Sequence, residues 1–471
     1  MKLAILGFGR EGKSVLNFLR KSKTLRGDEI FILDKNPNIK IPKSVHAITG
    51  KNCLKHLRGI DVVFRSPGIP YNLPELQRAR KTGVLFSSAT KLFFGAISHE
   101  SIVNSHLLVI GITGTKGKGT TATILYNILK NAGEDVFLAG NIGIPALDLI
   151  PKIESRVTNR KSVVKSHKSV FVILELSSFQ LQDLEVSPSI AVVTDVFPDH
   201  QDSHKNLAEY YNAKTRIARY QKKTDSVFFM ANNAMSRQIA SKSKGRKIAV
   251  DEKTFSLFSE KDLKIRGDHN FKNAAMAATV AKNLGVATRV IVESVKKFAG
   301  TEHRLEFVRR IGGVEFYNDS ASTNPHTTAA AIRAFATSDK RQVNDNPKKR
   351  GALTNSLILI AGGQDKNLDY APLAQALKKS NTKLVVLMGE NRSKIARTIK
   401  GQTTRTEEQG IKIMFAKNLK DAISKSYEVA LSLIASHLSP VVIFSPGATS
   451  FDMFRNYAER GKEFKKTIEN L

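Results

Sequence analysis

The chain is short of cysteine, of acidic residues and of long apolar runs, and each shortage removes a class of protein. Among 471 residues only Cys53 is a cysteine, which excludes an internal disulfide framework and a cysteine-cluster zinc site. No uninterrupted apolar run approaches the roughly 18 residues of a membrane span. The opening Met-Lys-Leu-Ala-Ile-Leu is too short for a secretory signal and has no small-residue cleavage site. A cytoplasmic protein without a membrane span is expected. Asp and Glu number 42 against 74 Lys and Arg, a formal net charge of +32. Such an excess attracts polyanions. The cations are dispersed, however, with local clusters only at Lys152–Lys168 and Lys340–Arg350. No aromatic-interleaved patch or nucleic-acid-binding motif accompanies them. A lysine-rich proteome or a general pull on anionic substrates accounts for the charge more simply, and no dedicated nucleic-acid partner is expected.

What is present is an alternation of short β-like runs with helical stretches. Lys2–Leu6, Glu29–Leu33 and Asp61–Phe64 read as strands, with Lys13–Lys23 and Cys53–Arg58 patterned as helices between them. The plan repeats with Leu107–Thr113, Val170–Leu176, Ile190–Val196 and Ser226–Met230, followed by helix-rich sequence from Asn270 to Phe298. It appears a third time in Val314–Tyr317, Leu357–Ala361, Leu384–Met388, Lys412–Phe415 and Val441–Phe444. Such alternation implies an α/β protein built on parallel sheets. The length exceeds what one core supports, and three domains are expected, at residues 1–103, 104–305 and 306–471. Residues 151–169 and 338–356 are rich in Lys, Arg, Ser and Asn and read as solvated surface insertions.

Gly111-Ile-Thr-Gly-Thr-Lys-Gly-Lys-Gly-Thr-Thr121 follows the apolar run Leu107–Ile110 and opens a helix-patterned stretch. Strand, glycine-rich turn, lysine, hydroxyl residues and helix is the order a phosphate-binding loop needs. Backbone N–H groups and the helix N-terminus face the phosphates, and a lysine supplies a point charge. The usual G-x-x-x-x-G-K-[ST] pattern is not met, because Ile112 occupies the first glycine position and Gly119 separates Lys118 from Thr120. The expected ligand of Gly114, Thr115, Lys116, Gly117, Lys118, Gly119, Thr120 and Thr121 is ATP. Lys118 would lie on its outer phosphates, and Thr120 or Thr121 on a magnesium ion.

A second glycine motif, Gly7-Phe-Gly-Arg-Glu-Gly12, follows the first strand, and Asp34 ends the next one. Alone this is the dinucleotide fingerprint, and an NAD-dependent dehydrogenase is a rival reading. A dehydrogenase has no need of a phosphate loop 100 residues later. Two phosphate sites in successive domains fit an enzyme that couples a nucleotide-bearing substrate to ATP-driven chemistry. Glu175 ends an apolar strand, where a carboxylate points into the ligand crevice and can hold magnesium. His200 lies in the acid-rich Asp195–His204 segment at the same edge and is a candidate ligand of a second metal. Asn270 and Asn273 share one face of a helix at i, i+3, and Arg304 could reach phosphates.

These pieces, in order, resemble the Mur ligases of peptidoglycan synthesis, the D-glutamate-adding branch above all. Gly7–Gly12, Ser66-Pro-Gly-Ile69, Gly114–Thr121, Gly140-Asn-Ile-Gly143, Glu175–Gln180, Asp199-His200, Lys214, His269-Asn270, Asn273, His303-Arg304, Asn318-Asp319-Ser320, Gly362–Lys366 and Ser445–Ser450 carry the likeness. It implies a Rossmann-like N-terminal domain for a UDP-muramoyl substrate, a central ATPase-like domain and a Rossmann-like C-terminal domain for the amino acid. The implied reaction joins D-glutamate to UDP-N-acetylmuramoyl-L-alanine through an acyl phosphate, with ATP and two Mg²⁺ ions, in a monomer. By resemblance, Lys118 cradles ATP, Thr120 and Glu175 hold one magnesium, His200 holds a second, and Lys214 is carbamylated to assist it. Asn270, Asn273, Arg304 and Asp319 grip the nucleotide. Ser14, Asp34, Ser66, Gly68 and Asn141 face the UDP-muramoyl substrate, and Thr323, Lys366, Ser450 and Tyr457 the glutamate. Gly119 also resembles the loop of folylpolyglutamate synthase, a relative with no evident use for the Gly7–Asp34 unit. Ala321 stands where the family often has a lysine.

Overall fold

The computed structural model describes residues 1–21, 27–98, 107–161, 169–198, 204–265, 268–336, 355–402 and 411–471. Three sheets follow one another along the chain. The first contains β1 (Lys2–Leu6), β2 (Glu29–Asp34), β3 (His46–Thr49), β4 (Val62–Arg65) and β5 (Leu85–Ser87), in the order β3-β2-β1-β4-β5. All its pairings are parallel. The second contains β6 (Leu107–Thr113), β7 (Asp135–Gly140), β8 (Val170–Glu175), β9 (Ile190–Val193), β10 (Ser226–Met230) and β11 (Arg246–Val250), in the order β11-β10-β9-β6-β8-β7. It too is parallel throughout. The third contains β12 (Glu306–Ile311), β13 (Val314–Asn318), β14 (Asn355–Ala361), β15 (Thr382–Leu387), β16 (Lys412–Phe415) and β17 (Ser439–Phe444), in the order β12-β13-β17-β14-β15-β16. Only its edge pair β12–β13 is antiparallel.

Central parallel strands are covered by helices on both faces, so they read as unbroken apolar runs. Every residue of β8 is buried, including Glu175. The chain divides into two compact units, Met1–Phe258 with Lys272–Val295, and Ser259–Phe271 with Lys296–Leu471. In the first, one apolar cluster runs from Ile5 and Phe93 under the first sheet to Ile153, Leu174 and Ile217 around the second. In the second, separate clusters built on Leu359 and Ile443, and on Ile360 and Phe444, cover opposite faces of the third sheet. This is the alternation of side chains across a pleated strand. Among the described residues, no helix is long and apolar enough to cross a membrane.

Two expectations change. Residues 151–169 were expected as a solvated insertion, but Ile150–Lys161 is a helix. Ile150, Ile153 and Val157 are each at most 4% exposed and recur at helical spacing, so the basic composition belongs to the outer face. Residues 162–168 lie outside the described residues, as does most of the second expected insertion. The segment Cys53–Arg58, patterned as a helix, is a five-residue 3₁₀ turn broken at His56.

Candidate active site

Ligands of open parallel sheets bind beyond the carboxyl ends of the strands, where the connections diverge. In the second sheet that edge carries the phosphate loop after β6, Glu175 at the end of β8 and Thr194-Asp195 after β9. The loop turns through Gly117 at φ +85°, a conformation glycine adopts without steric cost. A Cβ there would overlap Asn273 Oδ1, and one on Gly114 would overlap Thr194 Oγ1. Thr194 Oγ1 donates to Lys116 O at 2.7 Å, and Asp195 O accepts from Thr115 N at 2.8 Å. Lys118 begins a helix that runs to Asn131, so the first N–H groups of that helix lack intrahelical acceptors and point at the loop. The Lys118 ammonium bonds Gly114 O and Thr115 O at 3.1 and 3.0 Å. Thr121 is fully buried, its hydroxyl 3.4 Å from Asn273 Oδ1, whereas Thr120 is half-buried.

Glu175 is 4% exposed. Its Oε1 accepts from Asn141 Nδ2 at 3.0 Å, while its buried Oε2 has no hydrogen-bond partner among the described residues. Buried carboxylate oxygens are normally paired or metal-bound, and this one faces Gly119, where a Cβ would stand 3.0 Å from it. Gly119 thus keeps open the space between the carboxylate and the helix start. Lys214, 2% exposed, donates to Gly114 O at 2.7 Å and lies over the Tyr210 ring at 4.7 Å. His200 lies outside the described residues. Among the described residues, no group of three His, Cys, Asp or Glu side chains gathers as a metal site.

The first sheet brings its own loops to this edge. Ser66 Oγ donates to Gly7 O at 2.7 Å. Asp34 accepts from Phe8 N at 2.7 Å and Asn36 N at 2.8 Å, so it ties down the glycine loop. Gly68 is exposed. Ser14 is 2% exposed, its hydroxyl 2.6 Å from Asp148 Oδ1, at a cavity of about 710 Å³ also lined by Lys21, Lys91 and Glu154. Sequence reasoning passed over the residues that fasten the two sheets' loops together. Arg10 donates to the carbonyls of Gly140, Asn141 and Gly143 at 3.1 to 3.2 Å. Gln180 Nε2 donates to Glu11 Oε1 at 2.7 Å, and burial raises the Glu11 pKa against the pull of that bond and of Arg10. Arg65, 2% exposed, donates to Phe179 O at 3.1 Å and pairs with Asp183 at 3.8 Å. Arg10, Glu11 and Arg65 all lie inside or beside the glycine and Ser-Pro-Gly motifs, which was the available signal.

The second unit holds the remaining candidates, most of them at the carboxyl ends of β13, β14 and β17. Asp319 is 5% exposed and accepts from Ser322 Oγ at 2.6 Å, Ser445 Oγ at 2.7 Å and Leu305 N at 3.1 Å. Burial pushes its pKa up to about 6 in spite of those donors. Gln364 N donates to Thr449 O at 3.0 Å, joining the Gly362–Lys366 turn to the loop that carries Ser450. Ser450 is buried at 2%. The Lys366 ammonium is exposed and lies 5.4 Å from the Phe451 ring centre. Tyr457 is 46% exposed at the start of the Tyr457–Glu469 helix, and its carbonyl accepts from Ser320 Oγ at 2.7 Å. Arg304 is exposed, Thr323 half-buried, and Asn270 buried. Arg460 is fully buried. It donates to Ser320 O at 2.9 Å and Ala448 O at 3.1 Å, and burial lowers its pKa to about 10. Nothing in its lysine-rich helix marked it.

Three family descriptions match the chain: a Mur ligase MurD-like N-terminal domain at residues 1–88, a Mur ligase middle domain at 112–266 and a Mur ligase glutamate ligase domain at 303–434. The first covers the glycine unit that a folate-type ligase would leave without a use. The UDP-N-acetylmuramoylalanine–D-glutamate ligase of Acetivibrio thermocellus is 33% identical, over all of this chain and 96% of that one. The enzyme of the same name from Aquifex aeolicus is also 33% identical, over all of this chain and 99% of its own. A solved UDP-N-acetylmuramoyl-L-alanyl-D-glutamate–2,6-diaminopimelate ligase superposes with a TM-score of 0.55 at 15% identity, covering 96% of this chain and 93% of that one. At that identity the likeness bears on the fold alone. With a phosphate loop, a buried acid beside it and full-length relatives at one-third identity, the chain belongs to the Mur ligase family.

Proposed function

We propose that the chain joins D-glutamate to UDP-N-acetylmuramoyl-L-alanine at the expense of ATP, within three functional segments, 1–103, 104–305 and 306–471. The observation that carries the ATP half is the unpartnered Glu175 Oε2 beside the phosphate loop. It fits a cation that Thr120 would also ligate, since Thr121 is turned to Asn273. A magnesium ion there would supply positive charge to the phosphoryl oxygens. The chain's own contribution is positioning. Gly114 and Gly117 would let the backbone approach the phosphates, and Lys118, now on the loop's carbonyls, would turn to the outer phosphate.

A substrate carboxylate oxygen would bond to the γ-phosphorus of ATP as ADP leaves. The glutamate nitrogen would then attack the acyl carbon, and phosphate would leave as the amide forms and the amine loses its proton. The charge that builds on these oxygens is met by fixed cations and N–H dipoles. His200 and a carbamate on Lys214 would complete a second cation site. The carbamate would leave Lys214 Nζ neutral with a single N–H, and a dependence of activity on bicarbonate would reveal it. Ser66, Gly68 and Asn141 would face the muramoyl nucleotide, with Asp34 and Ser14 shaping its loops. Asn270, Asn273, Arg304 and Asp319 would serve the ATP nucleotide, and Thr323, Lys366, Ser450 and Tyr457 the glutamate.

The test is phosphate release from ATP with UDP-N-acetylmuramoyl-L-alanine, supplying D-glutamate, L-glutamate and other amino acids in turn. Turnover should require the muramoyl nucleotide and D-glutamate and fall by on the order of 10³-fold in Lys118→Ala. Turnover with a different amino acid would correct the acceptor, and none with any would overturn the reading.

A further inference from the structure

His204 is 4% exposed beside the loop that follows Glu175, and the chemistry above makes no use of it. Its Nε2 lies 2.9 Å from Ser178 Oγ. Its ring stacks on Phe179 with centroids 5.0 Å apart and planes 6° from parallel. A second ring, Tyr210, meets it edge-on at 5.4 Å. The Tyr210 hydroxyl is 2.7 Å from Thr115 Oγ1 in the phosphate loop, one helical turn before Lys214. Glu209 Oε2 stands 3.9 Å from His204 Nδ1. That carboxylate is itself fixed by Asn72 Nδ2 at 2.6 Å, Gln182 Nε2 at 3.0 Å and Lys205 N at 2.6 Å. His204 therefore touches the acid-bearing segment on one side and the residue that anchors the phosphate loop on the other.

We propose that His204 is a positioning residue for phosphoryl transfer, setting the spacing between Glu175 and the phosphate loop. Ser178 is 2% exposed, and without the imidazole its hydroxyl would lose a partner in a place where water does not substitute. An apolar side chain could fill the ring's volume but could not hold that hydroxyl. This separates positioning from packing. The kinetic arm of the proposal rests on the ligase reading; the binding arm does not.

The experiment compares the parent chain with His204→Leu, Ser178→Ala and His204→Gln, whose amide can still reach Ser178. Binding of Mn²⁺ in the presence of ATP is read by electron paramagnetic resonance, which needs no turnover. Turnover, the KM for each substrate and the melting temperature are measured alongside. His204→Leu and Ser178→Ala should weaken Mn²⁺ binding or lower kcat by roughly 10- to 100-fold, the usual cost of removing a residue that orients a metal-binding loop. The KM for the muramoyl nucleotide should hold, and His204→Gln should recover most of the loss. Parent-like Mn²⁺ binding and kcat in both His204→Leu and Ser178→Ala, whatever their melting temperatures, would overturn the proposal. A parent chain that binds Mn²⁺ with ATP but does not turn over fails the ligase reading, while the binding comparison still decides the role of His204.

Discussion

Glu175 and Asp319 are two carboxylates at the carboxyl ends of strands, one in each compact unit, and their exposures, 4% and 5%, are nearly equal. Their surroundings differ. Asp319 has three donors from its own unit, whereas Glu175 has Asn141 on one oxygen and, among the described residues, nothing on the other. Burial alone does not separate a structural acid from a ligand-binding one. The count of satisfied oxygens does, because an unpartnered buried oxygen costs free energy unless a cation or donor arrives. On this comparison Glu175 is the acid proposed to receive a cation, whereas Asp319, proposed to serve the ATP nucleotide, also ties together the loops after β13 and β17.

The largest effect should come from Glu175→Gln. The amide keeps the shape and can still accept from Asn141, but it loses the charge. Turnover is expected to fall by on the order of 10²- to 10³-fold, with the melting temperature held, as calorimetry beside a phosphate-release assay would read. A variant that unfolds early instead would place Glu175 with Asp319 as a structural acid and erase the comparison.

Much of the fold around Glu175 was legible in the sequence, and the illegible part has physical causes. The unbroken run Val170–Glu175 announced a buried parallel strand with an acid at its end, and glycine order announced the phosphate loop. The edge strand β3 left no such trace, since none of its four residues is buried. The helix Ile150–Lys161 was hidden by a basic outer face. The partners of Ser14 and Thr121 lie 134 and 152 residues away, a separation no local pattern carries. Satisfaction of a carboxylate is a tertiary property of that kind. The difference in satisfaction between Glu175 and Asp319 was out of reach of local pattern, because Asn141 and Ser445 lie 34 and 126 residues from the acids they serve.

Asp319→Asn tests the other side. Its folded pKa of about 6 stands above the ordinary 3.8, so the folded state binds a proton that the unfolded state has released between those values. This group's stabilising contribution is therefore full below pH ~4 and is lost as pH rises through ~6. The loss is on the order of 2–3 kcal/mol. Denaturant titrations of the parent chain and of Asp319→Asn from pH 4 to pH 8 should diverge over that window, with the falling arm missing in the variant. Parallel curves would mean that Asp319 ionises freely and is not the clamped member of the pair.

The smallest and sharpest effect concerns the space in front of Glu175. Gly119 has an ordinary helical position, so alanine there should stabilise the helix by roughly 0.5–1 kcal/mol. Its Cβ, however, would stand 3.0 Å from Glu175 Oε2, tight enough that the carboxylate must shift by a few tenths of an ångström, and it would fill the opening through which a cation is reached. Gly119→Ala should therefore raise the melting temperature while raising the Mg²⁺ concentration needed for half-maximal turnover. A gain of stability with unchanged Mg²⁺ dependence would show that the opening beside Glu175 is not where the cation is held. The unpartnered oxygen would then be an unpaired polar atom of the core, and its difference from Asp319 would be one of degree.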